Sequence, residues 1–155
     1  MKINYIVIPI ATTFAMMLGG HFSRLGMEWY RSSVNLPAIT PPSWVFSPVW
    51  TVIFILTAVF AVMVWNNFQR TTSFWLIIGL LLVNMILNVL WSYLFFANHM
   101  IGAALIDALA LTATVYAMML LACLQSWRVA LLLVPYAAWG TFACYLNYLV
   151  WMLNK

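Results

Sequence analysis

Five uninterrupted apolar stretches divide this chain and leave little sequence between them: residues 3–22, 48–65, 74–96, 100–124 and 129–153. A helix rising ~1.5 Å per residue needs about 20 apolar residues to cross ~30 Å of hydrocarbon. In that layer no water satisfies a backbone N–H or C=O, so only helices and closed barrels span it. A barrel would show alternating segments of about ten residues, whereas these runs are continuous. The chain therefore reads as an all-α integral membrane protein, one transmembrane domain over residues 1–155 built as a five-helix bundle.

The charges agree with this reading. With 67% hydrophobic and 5% charged residues, the chain cannot clothe a soluble globule, whose surface is roughly a quarter or more charged. Lys2, Arg24, Arg31, Arg70, Arg128 and Lys155 stand singly outside the apolar runs, at the depth of lipid headgroups. Scattered cations of this kind suit membrane lipid and count against nucleic acid. The first run lacks a small-x-small cleavage site at its end, so it is expected to remain as the first helix. Termini without a targeting extension point to a bacterial cytoplasmic membrane, with the mitochondrial outer membrane as the alternative. Orientation is undecided by the positive-inside rule: Lys2, Arg70 and Arg128 fall on one face, Arg24, Arg31 and Lys155 on the other.

Short connections at residues 66–72, 97–99 and 125–128 make the last four helices antiparallel neighbours. The first connection, Ser23 to Ser47, is much longer and carries Pro37, Pro41, Pro42 and the sole glutamate, Glu28. An unstructured segment of that length is uncommon in a compact domain, and an ordered lid across one mouth of the bundle is expected. Ser47-Pro48 has the form of an N-cap followed by proline at the first helical position, which starts the second helix there or one turn earlier.

Chemistry is sparse. Cys123 and Cys144 read as small buried apolar residues, and His21 and His99 as interfacial residues too far apart for a metal site. No metal, cofactor, phosphate loop or acyl-transfer triad is expected, which makes an enzyme the weaker class. What remains is a pattern of aromatic and amide groups. Trp29, Trp44, Trp65, Trp75, Trp127 and Trp151 lie at helix ends, as interfacial anchors do. Trp50, Trp91 and Trp139 lie at least a turn inside, where an indole N–H wants a partner or a ligand. Asn84 and Asn88, four residues apart, share a face with Trp91 and Ser92. That face must turn inward, either to bond another helix or to line a polar-spotted cavity. Pro135, Trp139, Ala143 and Asn147 recur at the same spacing on the fifth helix. Such a face suits a flat apolar molecule, with a local bend where Pro135 denies the Leu131 carbonyl its donor. Asp107, the only acid within a run, is expected to be protonated or paired with a donor. Ala11, Ala15 and Gly19 form a small-xxx-small stripe for close helix packing, within one protomer or across a dimer.

The run Trp29-Tyr30, Pro37, Pro41-Pro42-Ser43-Trp44-Val45-Phe46-Ser47-Pro48-Val49-Trp50-Thr51 resembles the signature of the translocator proteins, also called tryptophan-rich sensory proteins. Gly19-Gly20 with Arg24, Asn84 and Asn88 with Trp91, Asp107, and the series Pro135-Tyr136, Trp139, Phe142-Ala143 and Leu146-Asn147 before Trp151 extend the resemblance, in family order, over nearly the whole chain. It implies a five-helix bundle, often a homodimer, whose cavity binds protoporphyrin IX or a related tetrapyrrole, and in some members a sterol or drugs of the benzodiazepine and isoquinoline types. Carried over by motif, the pocket comprises Tyr30, Pro42, Phe46, Trp50, Phe54, Asn88, Trp91, Trp139, Ala143 and Leu146, between the first loop and the second, third and fifth helices. The resemblance also implies an alternative function, light-dependent porphyrin degradation through Trp50 and Trp139; a sterol-binding or purely structural membrane scaffold is a further one. Two departures stand out. Lys155 is one residue too far from Tyr148 for the proposed cholesterol motif, and Ala38-Ile39 occupies a place where many members carry tryptophan.

Overall fold

The computed structural model describes residues 3–155; Lys2, counted above toward one face, lies outside them. The described chain forms helices α1 (Asn4–Leu25), α2 (Met27–Ser33), α3 (Ser43–Asn67), α4 (Thr72–Ser92), α5 (Ile101–Cys123), α6 (Trp127–Ala130) and α7 (Val134–Leu153). A π-helical turn, Tyr93–Ala97, prolongs α4, and a 3₁₀ turn, Leu131–Leu133, joins α6 to α7. Five continuous rods result, each long and apolar enough to cross a membrane: Asn4–Leu25, Ser43–Asn67, Thr72–Ala97, Ile101–Cys123 and Trp127–Leu153. Their outer faces carry exposed Ile10, Phe14, Ile86, Ile106 and Leu120, an apolar exterior that only lipid can solvate. The chain is an integral membrane protein.

Around the bundle α1 lies between α3 and α4, α4 beside α5, and α5 beside α7, while α3 closes the ring by meeting α6 and the 3₁₀ turn. The rods pack differently at their two ends. Where α3 ends and α4 begins, Phe60, Val64, Phe74, Ile77, Val115, Met118 and Leu133 are fully enclosed in one core. Toward the other end α3 and α7 diverge, and ring pairs bridge them: Phe46 to Trp139 at 5.7 Å and Trp50 to Tyr136 at 6.0 Å between centroids. Proline explains where the fifth rod changes course. Pro135 stands in the first turn of α7, and the residues it leaves without a helical donor pass through the tighter 3₁₀ turn.

Small residues set the closest approaches. Ala15 and Gly19 of the stripe on α1 are buried within the protomer. A Cβ on Gly19 would come within 3.3 Å of Ser92 Oγ on α4. Gly26, between α1 and α2, lies against the Phe96 carbonyl so closely that any Cβ would overlap it.

The first connection departs from expectation. Helix α1 runs past Phe22 to Leu25, α2 occupies much of the supposed loop, and α3 begins at Ser43 with Pro42 at its N-cap. Ser47 is thus a helical residue and not a cap, the start lying one turn earlier, and Pro48 is accommodated inside α3. The non-helical part shrinks to residues 34–42. It is tied to the end of α7 by Asn35 N–H to Asn154 Oδ1 at 2.9 Å and by Asn154 Nδ2 to Asn35 O at 2.9 Å. Within the same connection α2 packs at that end of the bundle, with Trp29 and Tyr30 set edgewise or tilted against Phe95 and Phe96.

One further expectation is corrected. Cys123 is exposed and only Cys144 is buried. The inward stripe of α5 runs Ile101, Ala104, Ala108, Leu111, Val115, Met118 and Ala122, and Cys123, one residue on, is turned about 100° away from it. His99 is more than an interfacial residue: it adopts a positive φ of 58° at the turn before α5 and stacks on Trp29 at 3.9 Å.

Candidate functional site

The divergence of α3 from α7 leaves a cavity of about 520 Å³, within the range of pockets that hold drug- or cofactor-sized molecules. All five rods contribute to its wall. Tyr30, Phe46, Trp50, Phe54, Asn88, Trp91, Trp139, Ala143 and Leu146 line it. Pro42 does not, because as the N-cap of α3 it is exposed at the helix tip. Two walls escaped the sequence reading: Met16, Met17, Gly19, Gly20, Ser23 and Arg24 from α1, and Ala108, Leu111 and Thr112 from α5. The glycine pair on α1 was a usable signal, since residues without side chains beside a buried stripe leave space. The α5 wall, one residue beyond Asp107, had no comparable mark.

The three interior tryptophans stand in different states. Trp91 Nε1–H donates to Asn147 Oδ1 at 3.0 Å, and Asn147 Nδ2 donates in turn to the Ile101 carbonyl at 3.1 Å. This chain pins α4, α7 and the start of α5 together. Trp91 also stacks on Phe95, with centroids 5.1 Å apart and planes 21° apart. For Trp50 and Trp139, side-chain hydrogen bonding among the described residues provides no acceptor; their rings meet Phe54 at 5.9 Å and Phe142 at 5.4 Å instead. Two indole N–H groups are therefore left for whatever enters.

The amide stripe on α4 does both things that its sequence allowed. Asn84 is buried and bonds other helices: its Nδ2 donates to Thr114 Oγ1 at 2.8 Å, and its Oδ1 accepts from the Tyr136 hydroxyl at 3.1 Å. Asn88 lines the cavity and donates to the Tyr136 oxygen at 3.2 Å. A relay of α4, α7, α4 and α5 groups thus holds Tyr136 rigid at the inner end of the hollow. Amide and hydroxyl groups so paired escape the cost of burial in hydrocarbon. Gly140 completes this wall, for a Cβ there would press to 2.8 Å from Thr112 Oγ1.

Three features bear on access and charge. Met17, Gly20, Ser47 and Thr51 both line the cavity and are exposed, Met17 to 66%. The hollow therefore reaches the outer surface along the seam between α1 and α3. Met17 precedes the end of α1 by two turns, about 12 Å, so that opening lies at membrane depth. At the outer end Tyr30 is half-buried, and desolvation pushes its phenol above its ordinary pKa, keeping it a neutral hydrogen-bonding group. Asp107 is only 6% exposed, yet both carboxylate oxygens lack a hydrogen-bond partner. Of the two states expected for it, pairing with a donor is not found among the described residues, and it is not part of the cavity wall. Among the described residues no cluster of three His, Cys, Asp or Glu could hold a metal ion.

The family model described as "TspO/MBR family" matches residues 5–152. The chain is similar to the tryptophan-rich protein TspO of Archaeoglobus fulgidus, 32% identical over 159 residues that cover 99% of both chains. The protein of the same description from Chlorobaculum tepidum is 32% identical over 136 residues, 88% of this chain and 86% of the relative. The translocator protein of Sus scrofa is 33% identical over 153 residues, 94% of this chain and 89% of the relative.

Proposed function

The chain belongs to the TspO/MBR family, and from that premise we propose that it is a membrane receptor or carrier for a planar hydrophobic ligand, protoporphyrin IX or a related tetrapyrrole, held in the cavity between α1, α3, α4, α5 and α7. The observation that carries this reading is the convergence of Trp50, Trp91 and Trp139, from three separate rods, on one hollow of about 520 Å³. Affinity comes mainly from burial of the ring system, at roughly 25 cal/mol per Å² of apolar surface before the costs of association. Aromatic contacts add about 0.5–1.5 kcal/mol each. Asn88 and the two unpaired indole N–H groups orient the ligand.

Tryptophan fluorescence, titrated with protoporphyrin IX in detergent or nanodiscs, tests the proposal. Saturable quenching is expected, and Trp50→Phe combined with Trp139→Phe should weaken binding by roughly tenfold, the sum of two lost indole N–H donors and the smaller ring area. Unsaturable quenching, or an affinity indifferent to both substitutions, would sink it.

A second reading is favoured by one specific observation: Trp50 and Trp139 face the same hollow, so a bound porphyrin touches both. In that reading the illuminated porphyrin is oxidised by dissolved dioxygen while the indoles relay electrons. Products formed under light beyond those from free tryptophan at equal concentration would support it, and their absence leaves binding alone.

A further inference from the structure

The charge of the cavity wall is the least expected thing about it. Among its lining residues Arg24 is the one charged side chain, and no carboxylate lines the hollow. Several of the wall's other polar groups are engaged with the protein, and those left open, the Trp50 and Trp139 N–H groups among them, are neutral. Asn88 donates to Tyr136, Trp91 to Asn147, the Ser23 hydroxyl to the Gly19 carbonyl at 2.9 Å and the Thr51 hydroxyl to the Ser47 carbonyl at 2.9 Å. Arg24 is different in kind. It stands in the last turn of α1, at the outer end of the hollow, and its guanidinium makes no side-chain hydrogen bond to a described residue. Glu28, the nearest acid in sequence, follows the Gly26 break in α2 and does not line the cavity.

We propose that Arg24 is the specificity residue of this site, selecting ligands that carry a carboxylate at the rim of an apolar body. The inference rests on the binding reading above and adds the ligand's charge and its direction of insertion. A planar acid would enter ring first, bury its apolar part among the indoles, and leave its carboxylate at the membrane boundary. There the guanidinium receives it through two parallel N–H···O bonds. A neutral ligand of the same shape would gain the burial and not the pair. The ordinary alternative is that Arg24 only snorkels to the headgroups and complements the C-terminal end of the α1 dipole.

The test compares protoporphyrin IX with its dimethyl ester, which differs only at the carboxyl groups, on wild-type protein, R24Q and R24K in nanodiscs of zwitterionic lipid. Comparing variant with wild type for one ligand at a time cancels that ligand's own partitioning into lipid. R24Q is expected to weaken the acid by about tenfold while leaving the ester's affinity where it was, with R24K intermediate for the acid. Unchanged ester binding also shows that the variant cavity is intact. Equal weakening of acid and ester by R24Q, or no effect on the acid, overturns the inference and assigns Arg24 to helix anchoring. Failure of both ligands to bind the wild type overturns the tetrapyrrole reading itself, a distinct result.

Discussion

Individual side chains show which positions are held for stability and which are not. Asn147 bonds both Trp91 and the Ile101 carbonyl, and a residue that satisfies two buried partners in hydrocarbon is structural as much as functional. Its spacing from Trp139 and Ala143 placed it on the right face in the sequence, but nothing in the sequence named its partner, since that depends on how far α7 slides along α4. Asp107 is the opposite case. A carboxylate that is 6% exposed with both oxygens unpaired costs stability, because its charge or its lone pairs have lost water without compensation. Asp107→Asn should therefore raise the thermal midpoint by about 2–5 °C, measured by the tryptophan signal in detergent. A fall in the midpoint would mean that the acid makes a stabilising contact.

Elements of secondary structure were the most legible level, with instructive failures at their ends. The five apolar runs located every rod because hydrocarbon permits nothing else. The first connection was misjudged because Met27–Ser33 has no long apolar run, and a seven-residue helix gains its stability from packing that sequence does not reveal. The π-helical turn at Tyr93–Ala97 was equally invisible; it widens the last turn of the third rod where Phe95 and Phe96 receive Trp29 and Tyr30. Gly26 sits at the meeting of these parts. With the Phe96 carbonyl in the place of its side chain, Gly26→Ala should push α2 off the π turn and destabilise the protein by about 1–3 kcal/mol. Denaturant unfolding in mixed micelles gives the loss, and a broken Trp29–His99 stack should alter tryptophan emission. An unperturbed variant would show that α2 can stand further from the π turn at no cost.

At the scale of the whole molecule the bundle is solid at one end and hollow at the other, and this division was only partly written in the sequence. The stripes on the third and fifth rods pointed inward, but whether facing side chains interlock or stand apart depends on rod spacing, which Pro135 and the 3₁₀ turn help to set. Ala143 tests the division directly. Ala143→Leu places bulk in the hollow, so protoporphyrin affinity should fall at least about tenfold while stability stays level or rises by about 0.5–2 kcal/mol, as cavity filling does. Undiminished ligand binding by a stable Ala143→Leu protein would place the ligand outside this hollow.

The seam between α1 and α3, where Met17 and Gly20 are both wall and exterior, changes how occupancy must be counted. A molecule arriving by that gap is captured from the acyl chains and not from the aqueous phase, so the quantity that governs filling is its mole fraction among lipids. Diluting a fixed dose of a strongly partitioning compound into twice the bilayer halves that fraction, even when buffer volume and protein amount stay constant.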